Sequence, residues 1–445
     1  MNDKLKAAKV PQGRLARLSG MGGLAGRIAG NVLVESGKQL AQGQRPQLTD
    51  VLLTERNLTH LADKLAKMRG AAMKVGQLLS MDAGNLIPPE FAVILERLRA
   101  EGMVMPAAQL YDVLESNWGA EWQTPFRRFS FDPVAAASIG QVHRAHTHDG
   151  RELAVKIQYP GVKASIDSDI NNVVSLLRMS GLLPKCLDID PLVEEARRQL
   201  HLEADYRHEG EQIQGYTKLL GGYEHHDRLL MPEYMEDLST EQILTMSFLE
   251  GIPLEKALTK ASERTDSAMT VLLDLMFAEL SQFHCVQTDP NPANYLYEPA
   301  TDRIVLLDFG AVRQFSAQFT GQYMTALSAA VDEDRDALRE ALEVLGFFQQ
   351  GISVRNAETV LDIFLLATEP LRASGNYDFG TSDISARIHA LGQSISSDPD
   401  AWHTPPPDVL FLHRKIAGLY LIAMRVGARI PSGEIFEKYR VLSSA

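Results

Sequence analysis

Phe283–Gln314 reads FHCVQTDPNPANYLYEPATDRIVLLDFGAVRQ. Asp289 and Asn294 sit on a polar loop bounded by prolines, and a short apolar run, Tyr295 to Tyr297, follows them. The chain then turns through Glu298 to Arg303 and returns along Ile304 to Leu307 into Asp308-Phe309-Gly310. Two strands and a turn thus bring two carboxylates and a carboxamide together. Phosphoryl transfer needs that set: an Asp that can accept a hydroxyl proton, an Asn shortly after it, and the Asp of an Asp-Phe-Gly segment, the last two gripping divalent metal on a nucleotide's phosphates. Asp-Pro-Asn-Pro alone is an ordinary turn composition, and Asp-Phe-Gly recurs by chance. Their order, and the apolar strand before Asp308, make the combination specific.

Upstream, FRRFSFDPVAAASIGQVHRAHTHDGRELAVKIQYP turns β-like. It reads as a short strand, an Ala-rich turn, a strand from Val142 to Thr147, a hairpin turn at Asp149-Gly150 and a strand from Glu152 to Gln158. Lys156 occupies AVKI, where a kinase-type third strand presents its phosphate-binding lysine. The preceding loop departs from that pattern. Where G-x-G-x-x-G would let backbone N–H groups approach phosphates, Ala135, Ala136, Ala137 and Ser138 stand instead, and alanine confines φ to negative values. Helical spacing resumes over Val162–Leu183 and from Asp190 to about Leu219. The second stretch carries Glu203, Asp205 and Glu209, and Glu209 is the carboxylate expected to pair with Lys156. Strands near Arg228–Tyr234 and Ile243–Phe248 lead to a linker at Leu249–Pro253. A kinase-type hinge there would hold adenine against Met246, Phe248 and Leu249.

Composition narrows the class. The chain has 445 residues, 45% apolar and 23% charged, which suits two or three compact soluble units. A net charge of −13 argues against general nucleic-acid binding. Cys186 and Cys285 are isolated, which indicates neither a disulfide framework nor a zinc site. No apolar run approaches the roughly 20 residues of a membrane span, and the N-terminus lacks a secretory apolar region. Residues 1 to 30 are instead basic and lead into GMGGLAGRIAGNVLVE, a glycine-spaced helix suited to an anionic membrane or a partner helix.

From Leu48 to Leu98 apolar residues recur at helical spacing, with a break at Pro88-Pro89. RGAAMKVGQLLSMD lies within, and Lys74 and Gln77 share one face of its helix. Glu203 and Asp205 suit Lys74 as partners. Beyond Gly251 the chain reads as helices over Ser267–His284, Thr320–Gly346, Val354–Ala367, Thr381–Ser394 and Pro407–Val426. Only AVRQFSAQ separates Gly310 from the next helical spacing, which leaves little room for a segment that binds a protein substrate.

With these residues in hand, the sequence resembles the UbiB-type atypical kinase-like family, closest to its members in coenzyme Q (ubiquinone) biosynthesis in animals and bacteria. The likeness rests on KVGQLLS (Lys74–Ser80), AAASIGQVH (Ala135–His143), VKIQYPGV (Val155–Val162), LEADYRHE (Leu202–Glu209), QTDPNPAN (Gln287–Asn294), LLDFGA (Leu306–Ala311) and LHRKIAGLYL (Leu412–Leu421). It implies that Lys156 contacts nucleotide phosphates and pairs with Glu209, that Asn294 and Asp308 hold Mg2+, and that Asp289 matches the catalytic Asp. The His-Arg that precedes this Asp in protein kinases is here Gln287-Thr288. The Ala-rich loop is similar to one that tilts preference from ATP toward ADP, and Lys74 and Gln77 would fold over the site to meet Glu203 and Asp205. Many family members carry a C-terminal membrane-spanning pair, which this sequence lacks.

The expectation is an α+β, two-lobed protein-kinase-like fold: an N-terminal helical extension over 1–125, an N-lobe over 126–250 and a mostly helical C-lobe over 251–445. Its activity would be slow ATP hydrolysis or phosphoryl transfer to a small or lipid-like acceptor in coenzyme Q biosynthesis, and not to proteins. Expected partners are nucleotide, a lipid or quinone precursor, coenzyme Q biosynthetic enzymes and, through the N-terminal helix, a membrane surface. The expected location is cytoplasmic, peripheral to the inner membrane, or the mitochondrial matrix in a eukaryotic host. The opposing reading is a pseudokinase scaffold that binds nucleotide or lipid without turnover.

Overall fold

The computed structural model describes residues 62, 65, 68–82, 104–180, 189–258, 262–348, 352–396 and 405–443. The chain divides into two compact units, Met1–His208 with Met235–Phe248, and Glu209–Tyr234 with Leu249–Ala445. The basic N-terminal segment, its glycine-spaced helix, Pro88-Pro89 and Cys186 lie outside the described residues.

In the first unit, α1 (Arg69–Asp82) and α2 (Ala107–Trp118) precede β1 (Phe126–Ala136), β2 (Gly140–Thr147) and β3 (Glu152–Gln158). α3 (Val162–Ser180) and α4 (Asp190–Glu203) follow; α5 (Tyr206–Leu220), from Glu209 onward, and the short β4 (Leu229–Leu230) belong to the second unit, and the chain returns to the first for β5 (Ile243–Ser247). The sheet runs β1-β2-β3-β5, antiparallel throughout, with Lys156 opposite Val142 on one side and Leu244 on the other. Gly150, at φ +90°, supplies the left-handed residue that the β2–β3 turn requires. Side chains alternate along β3. Leu153, Val155 and Ile157 are buried in one core with Leu110 and Leu114 of α2, Trp122 and Phe126. The intervening Lys156 and Gln158 serve the other face, where Gln158 Nε2 donates to Ala204 O at 3.0 Å.

The second unit contains β6 (Ile252–Pro253), α6 (Leu254–Ala257), α7 (Glu263–Ala278), β7 (Cys285–Gln287), β8 (Tyr295–Glu298), β9 (Arg303–Leu306) and β10 (Val312–Gln314). Then come α8 (Ala317–Val331), α9 (Arg335–Val344), α10 (Val354–Ala367), β11 (Tyr377–Asp378), α11 (Ile384–Ser396), α12 (Pro407–Val426), β12 (Arg429–Ile430) and α13 (Ser432–Ser443). β4-β9-β8-β6 form one sheet, with β4 and β9 parallel, while β7 pairs with β10. α7 is buried on every face from Val271 to Ala278, as a helix at the centre of a core must be. Its one acid in that run, Asp274, is satisfied by the Tyr223 and Tyr439 hydroxyls at 2.9 and 2.7 Å and by Lys438 at 3.0 Å. Cys285 is a buried free thiol, its pKa pushed up to about 12 by burial and by the neighbouring Glu279.

Several boundaries differ from the periodicity, each for a local reason. β1 runs on through Ala135 and Ala136, which pair with Val142 and Gln141, so the turn shrinks to Ala137–Ile139. The stretch from Asp190 to Leu219 is two helices, because the Asp205 carboxylate accepts from Arg207 N and competes with helix continuation. Arg228–Tyr234 yields only Leu229–Leu230 as strand, and Pro232 can donate no ladder bond. Thr320–Gly346 splits where Glu333 takes φ +57° and Asp334 caps α9 by accepting from Ala337 N. α7 ends at Ala278 and widens into a π turn, Glu279–Phe283, closed by His284 at φ +50°. The reading over Thr381–Ser394 shifts to Ile384–Ser396, while Val354–Ala367 and Pro407–Val426 are as read.

Candidate active site

The loop between β7 and β8 carries Asp289 and Asn294. Asn291 opens its last turn by accepting from Ala293 N. Asn294 is buried, and its amide nitrogen donates to Asp289 O at 3.2 Å and to Asp289 Oδ2 at 3.1 Å. That leaves its carbonyl oxygen as the atom it can offer a cation. Asp308 follows β9, and its Oδ1 accepts from Gly310 N at 2.9 Å. Gln287 ties the two loops together: its Nε2 donates to Asp289 O at 3.0 Å and to Asp308 O at 3.1 Å. Thr288 Oγ1 donates to Ala311 O at 2.8 Å. Gln287 and Thr288, standing where protein kinases have His-Arg, thus act as fasteners between the two acidic loops.

Beneath this lies a buried ion pair that sequence reasoning missed. Glu279, the first residue of the π turn, is fully buried and sits 3.0 Å from Lys415 Nζ of α12, itself 3% exposed. Glu279 Oε1 also accepts from Tyr216 OH at 2.7 Å and from Gln287 N at 2.9 Å. Burial and the Glu279 charge push the Tyr216 hydroxyl pKa well above its ordinary value, which keeps it a donor. Burial opposes the charge on Lys415, but Glu279 and Tyr295 outweigh it and raise its pKa. The carboxylate therefore anchors Gln287 by its backbone while the Gln287 side chain holds Asp289 and Asp308. Arg414, the preceding residue on α12, makes an ion pair with Asp289 Oδ1. Both carboxylate oxygens of Asp289 are engaged by this chain.

Glu209 is buried in the same unit, beside the Asp-Phe-Gly segment: a methyl group added to Gly310 would stand 3.6 Å from its carboxylate. Lys156 belongs to the first unit, with its ammonium 5.0 Å from the centre of the Tyr206 ring, within cation–π reach. Also in the first unit, Lys74 on α1 pairs with Glu203 at the end of α4, and Ser138 Oγ donates to Glu203 Oε2 at 3.2 Å. α1 is therefore fastened to the Ala-rich turn through Glu203. Asp205 does not share that pairing, since it caps α5. The Gln77 side chain lies outside the described residues. Met246 is buried on β5, and Phe248 N donates to Glu152 O at 2.9 Å with the Arg144 guanidinium over its ring. One of the three crossings between the units falls between Phe248 and Leu249.

The residues reasoning overlooked, Glu279, Arg414 and Lys415, had one legible signal. Lys415 sits in LHRKIAGLYL with apolar residues at helical spacing on both sides, so its charge had to be buried and partnered.

A kinase-like α+β fold in which the β7–β8 loop, Asn294 and the Asp-Phe-Gly segment meet in this way is that of the atypical kinase-like class. Residues 97–342 match the ABC1 atypical kinase-like domain. The chain is 36% identical over 439 residues to the Rattus norvegicus protein named atypical kinase COQ8B, mitochondrial, covering 98% of this chain and 82% of that one. It is 36% identical over 440 residues to Saccharomyces cerevisiae atypical kinase COQ8, mitochondrial, covering 98% and 86%. Among solved structures it is similar to the Rv3197–erythromycin complex from Mycobacterium tuberculosis, with 28% identity, a TM-score of 0.59, and coverage of 86% of this chain and 95% of that one. The chain belongs to the ABC1, or UbiB-type, atypical kinase-like family. No helix among the described residues is long and apolar enough to cross a membrane.

Proposed function

We propose that this protein binds Mg-nucleotide and supports coenzyme Q biosynthesis, by slow ATP hydrolysis or by phosphoryl transfer to a small or lipid-like acceptor. The observation that carries the reading is the double hydrogen bond from Gln287, which sets Asp289 and Asp308 side by side with Asn294. Among the described residues no group of three His, Cys, Asp or Glu stands ready to hold a metal alone. One carboxylate and one carboxamide suit Mg2+, which is commonly bound through one or two protein oxygens plus substrate phosphates. Asn294 and Asp308 would hold it, and bound there it would neutralise charge on the phosphates. Lys156, backed by Tyr206, would contact the phosphates and pair with Glu209; these roles rest on the family motifs. Met246, Phe248 and Leu249 would border adenine. In this reading 1–125 is the extension, 126–250 the N-lobe and 251–445 the C-lobe. The coenzyme Q role follows the names of the relatives, and the lipid, enzyme and membrane partners are part of the same proposal.

Two features favour slow turnover on something other than protein. Arg414 occupies one oxygen of Asp289, so the carboxylate is oriented but not free to take a hydroxyl proton. Only Ala311 to Ser316 separate Gly310 from α8, leaving no long segment for a peptide. The Arg414 pair equally favours the second reading, a nucleotide-binding scaffold without turnover. Nucleotide-dependent thermal stabilisation and phosphate release, each with and without Mg2+, separate them. The enzyme reading expects Mg-dependent stabilisation and phosphate release in the parent, with release falling about 10²–10³-fold in Asp308→Asn. Stabilisation without any release identifies the scaffold, and no Mg-dependent stabilisation in the parent overturns both.

The Ala-rich turn makes a separate prediction. Ala137 N, the group a glycine loop would offer to a phosphate, donates to Gly140 O at 2.8 Å. Ala137→Gly loosens this turn and should shift the ratio of ATP to ADP affinity toward ATP. An unchanged ratio by calorimetric titration counts against this account of the loop.

A further inference from the structure

The second unit contains an apolar cavity of about 170 Å³ that shares no lining residue with the Asp289–Asp308 cluster. Phe277 of α7, Tyr323 and Leu327 of α8, Phe364 of α10, and Ile416 and Tyr420 of α12 form its walls. Protein interiors hold few voids larger than a water molecule. The hydroxyl of Thr368, which also lines it, already donates to Phe364 O at 3.0 Å.

His413 is the exception in this lining. Its ring packs against Tyr323, Phe347 and Phe364, with centroids 5.9, 5.7 and 5.4 Å away. Among the described residues no hydrogen bond reaches either ring nitrogen. Burial lowers its pKa to about 4, so at neutral pH the imidazole is uncharged, with one N–H to donate and one nitrogen to accept. Such an imidazole is free to exchange one hydrogen bond with a molecule that occupies the space.

The volume limits what that can be. An apolar protein cavity of roughly 150 Å³ is known to stay dry and to accept benzene. A space of about 170 Å³ therefore matches one aromatic ring with a small substituent. We propose that this cavity is a binding site for a compact, uncharged aromatic molecule carrying a single hydrogen-bonding group, seated with that group on His413. The proposal does not depend on the nucleotide reading, because Lys156, Asn294 and Asp308 take no part in the cavity.

The test uses the full chain with toluene and indole as probes, followed by thermal stabilisation and by NMR of the histidine rings. Toluene fits the space, and indole adds one N–H. Both should stabilise the parent saturably, with indole binding about tenfold more tightly, the worth of one hydrogen bond, and perturbing the His413 ring signals. His413→Phe should bring indole down to the affinity of toluene while toluene keeps its own. Ala367→Phe fills the space and should abolish both; Ile363→Phe serves if that variant does not fold. Asp308→Asn should leave indole binding unchanged, so a failure of the nucleotide reading would not be mistaken for a failure here. Absence of saturable binding in the parent, binding that survives a folded cavity-filling variant, or an indole-to-toluene ratio that His413→Phe leaves unchanged would each overturn the proposal.

Discussion

Lys415→Met should destabilise the protein by about 3–5 kcal/mol, the usual cost of removing one partner of a buried ion pair. The carboxylate left behind, Glu279, is fully buried and 3.0 Å from the lost ammonium, and two remaining donors, Tyr216 OH and Gln287 N, cannot balance a full charge. Adding Glu279→Gln to the same chain should recover most of the loss, since a neutral pair of similar volume carries no uncompensated charge. Urea unfolding of the two single variants and the double variant measures the coupling directly. A loss below about 1 kcal/mol in Lys415→Met, in the range of an exposed pair, would show that the two groups are not desolvated together. Phosphate release adds a second readout. In Lys415→Met the carboxylate that anchors Gln287 N loses its counter-charge, so release should fall further than the fraction unfolded explains.

Gly418→Ala carries the second large effect. A Cβ there would lie 2.2 and 2.4 Å from Cγ and Cβ of Pro290, the residue that follows Asp289. Pro290 is ring-closed and flanked by the hydrogen bonds of Asp289 and Asn294, so α12 has to back away, and overpacking of this kind costs about 1–3 kcal/mol. The displacement also lengthens the Arg414–Asp289 pair. Gly321→Ala on α8 is the matched control: nothing lies within 4 Å of the added methyl, and the change should stabilise by roughly 0.5–1 kcal/mol through helix propensity alone. Opposite signs from the same substitution in two helices of one unit are the expected outcome. If the two variants unfold at the same urea concentration, the close approach of α12 to the loop is not real.

The parts of this site that sequence displays are those whose partners are near in the chain or whose chemistry admits few readings. Asp289, Asn294 and Asp308 were legible because two strands and a turn connect them, and the β2–β3 hairpin because Asp149-Gly150 admits few turn types. Lys74 and Glu203 lie far apart in the chain, yet they pair, and a family motif carried that reading. Arg414 was illegible because its partner is 125 residues away and the geometry depends on how α12 crosses the loop. Glu279 looked like an acid at the end of an ordinary helix, since a π turn leaves no signature in apolar spacing. The breaks at Asp205 and Asp334 were missed for the opposite reason. The apolar rhythm continues across both, and a single side-chain hydrogen bond overrides it.

Three successive residues of α12 answer to three different surroundings. His413 faces the apolar cavity, Arg414 grips Asp289, and Lys415 pairs with Glu279. Neighbours on a helix are set about 100° apart around the axis, so one rotational setting must satisfy all three at once. Turning the helix to improve one contact spoils the other two. The segment is thus keyed like a cylinder with three pins, and it admits discrete seatings but no gradual drift.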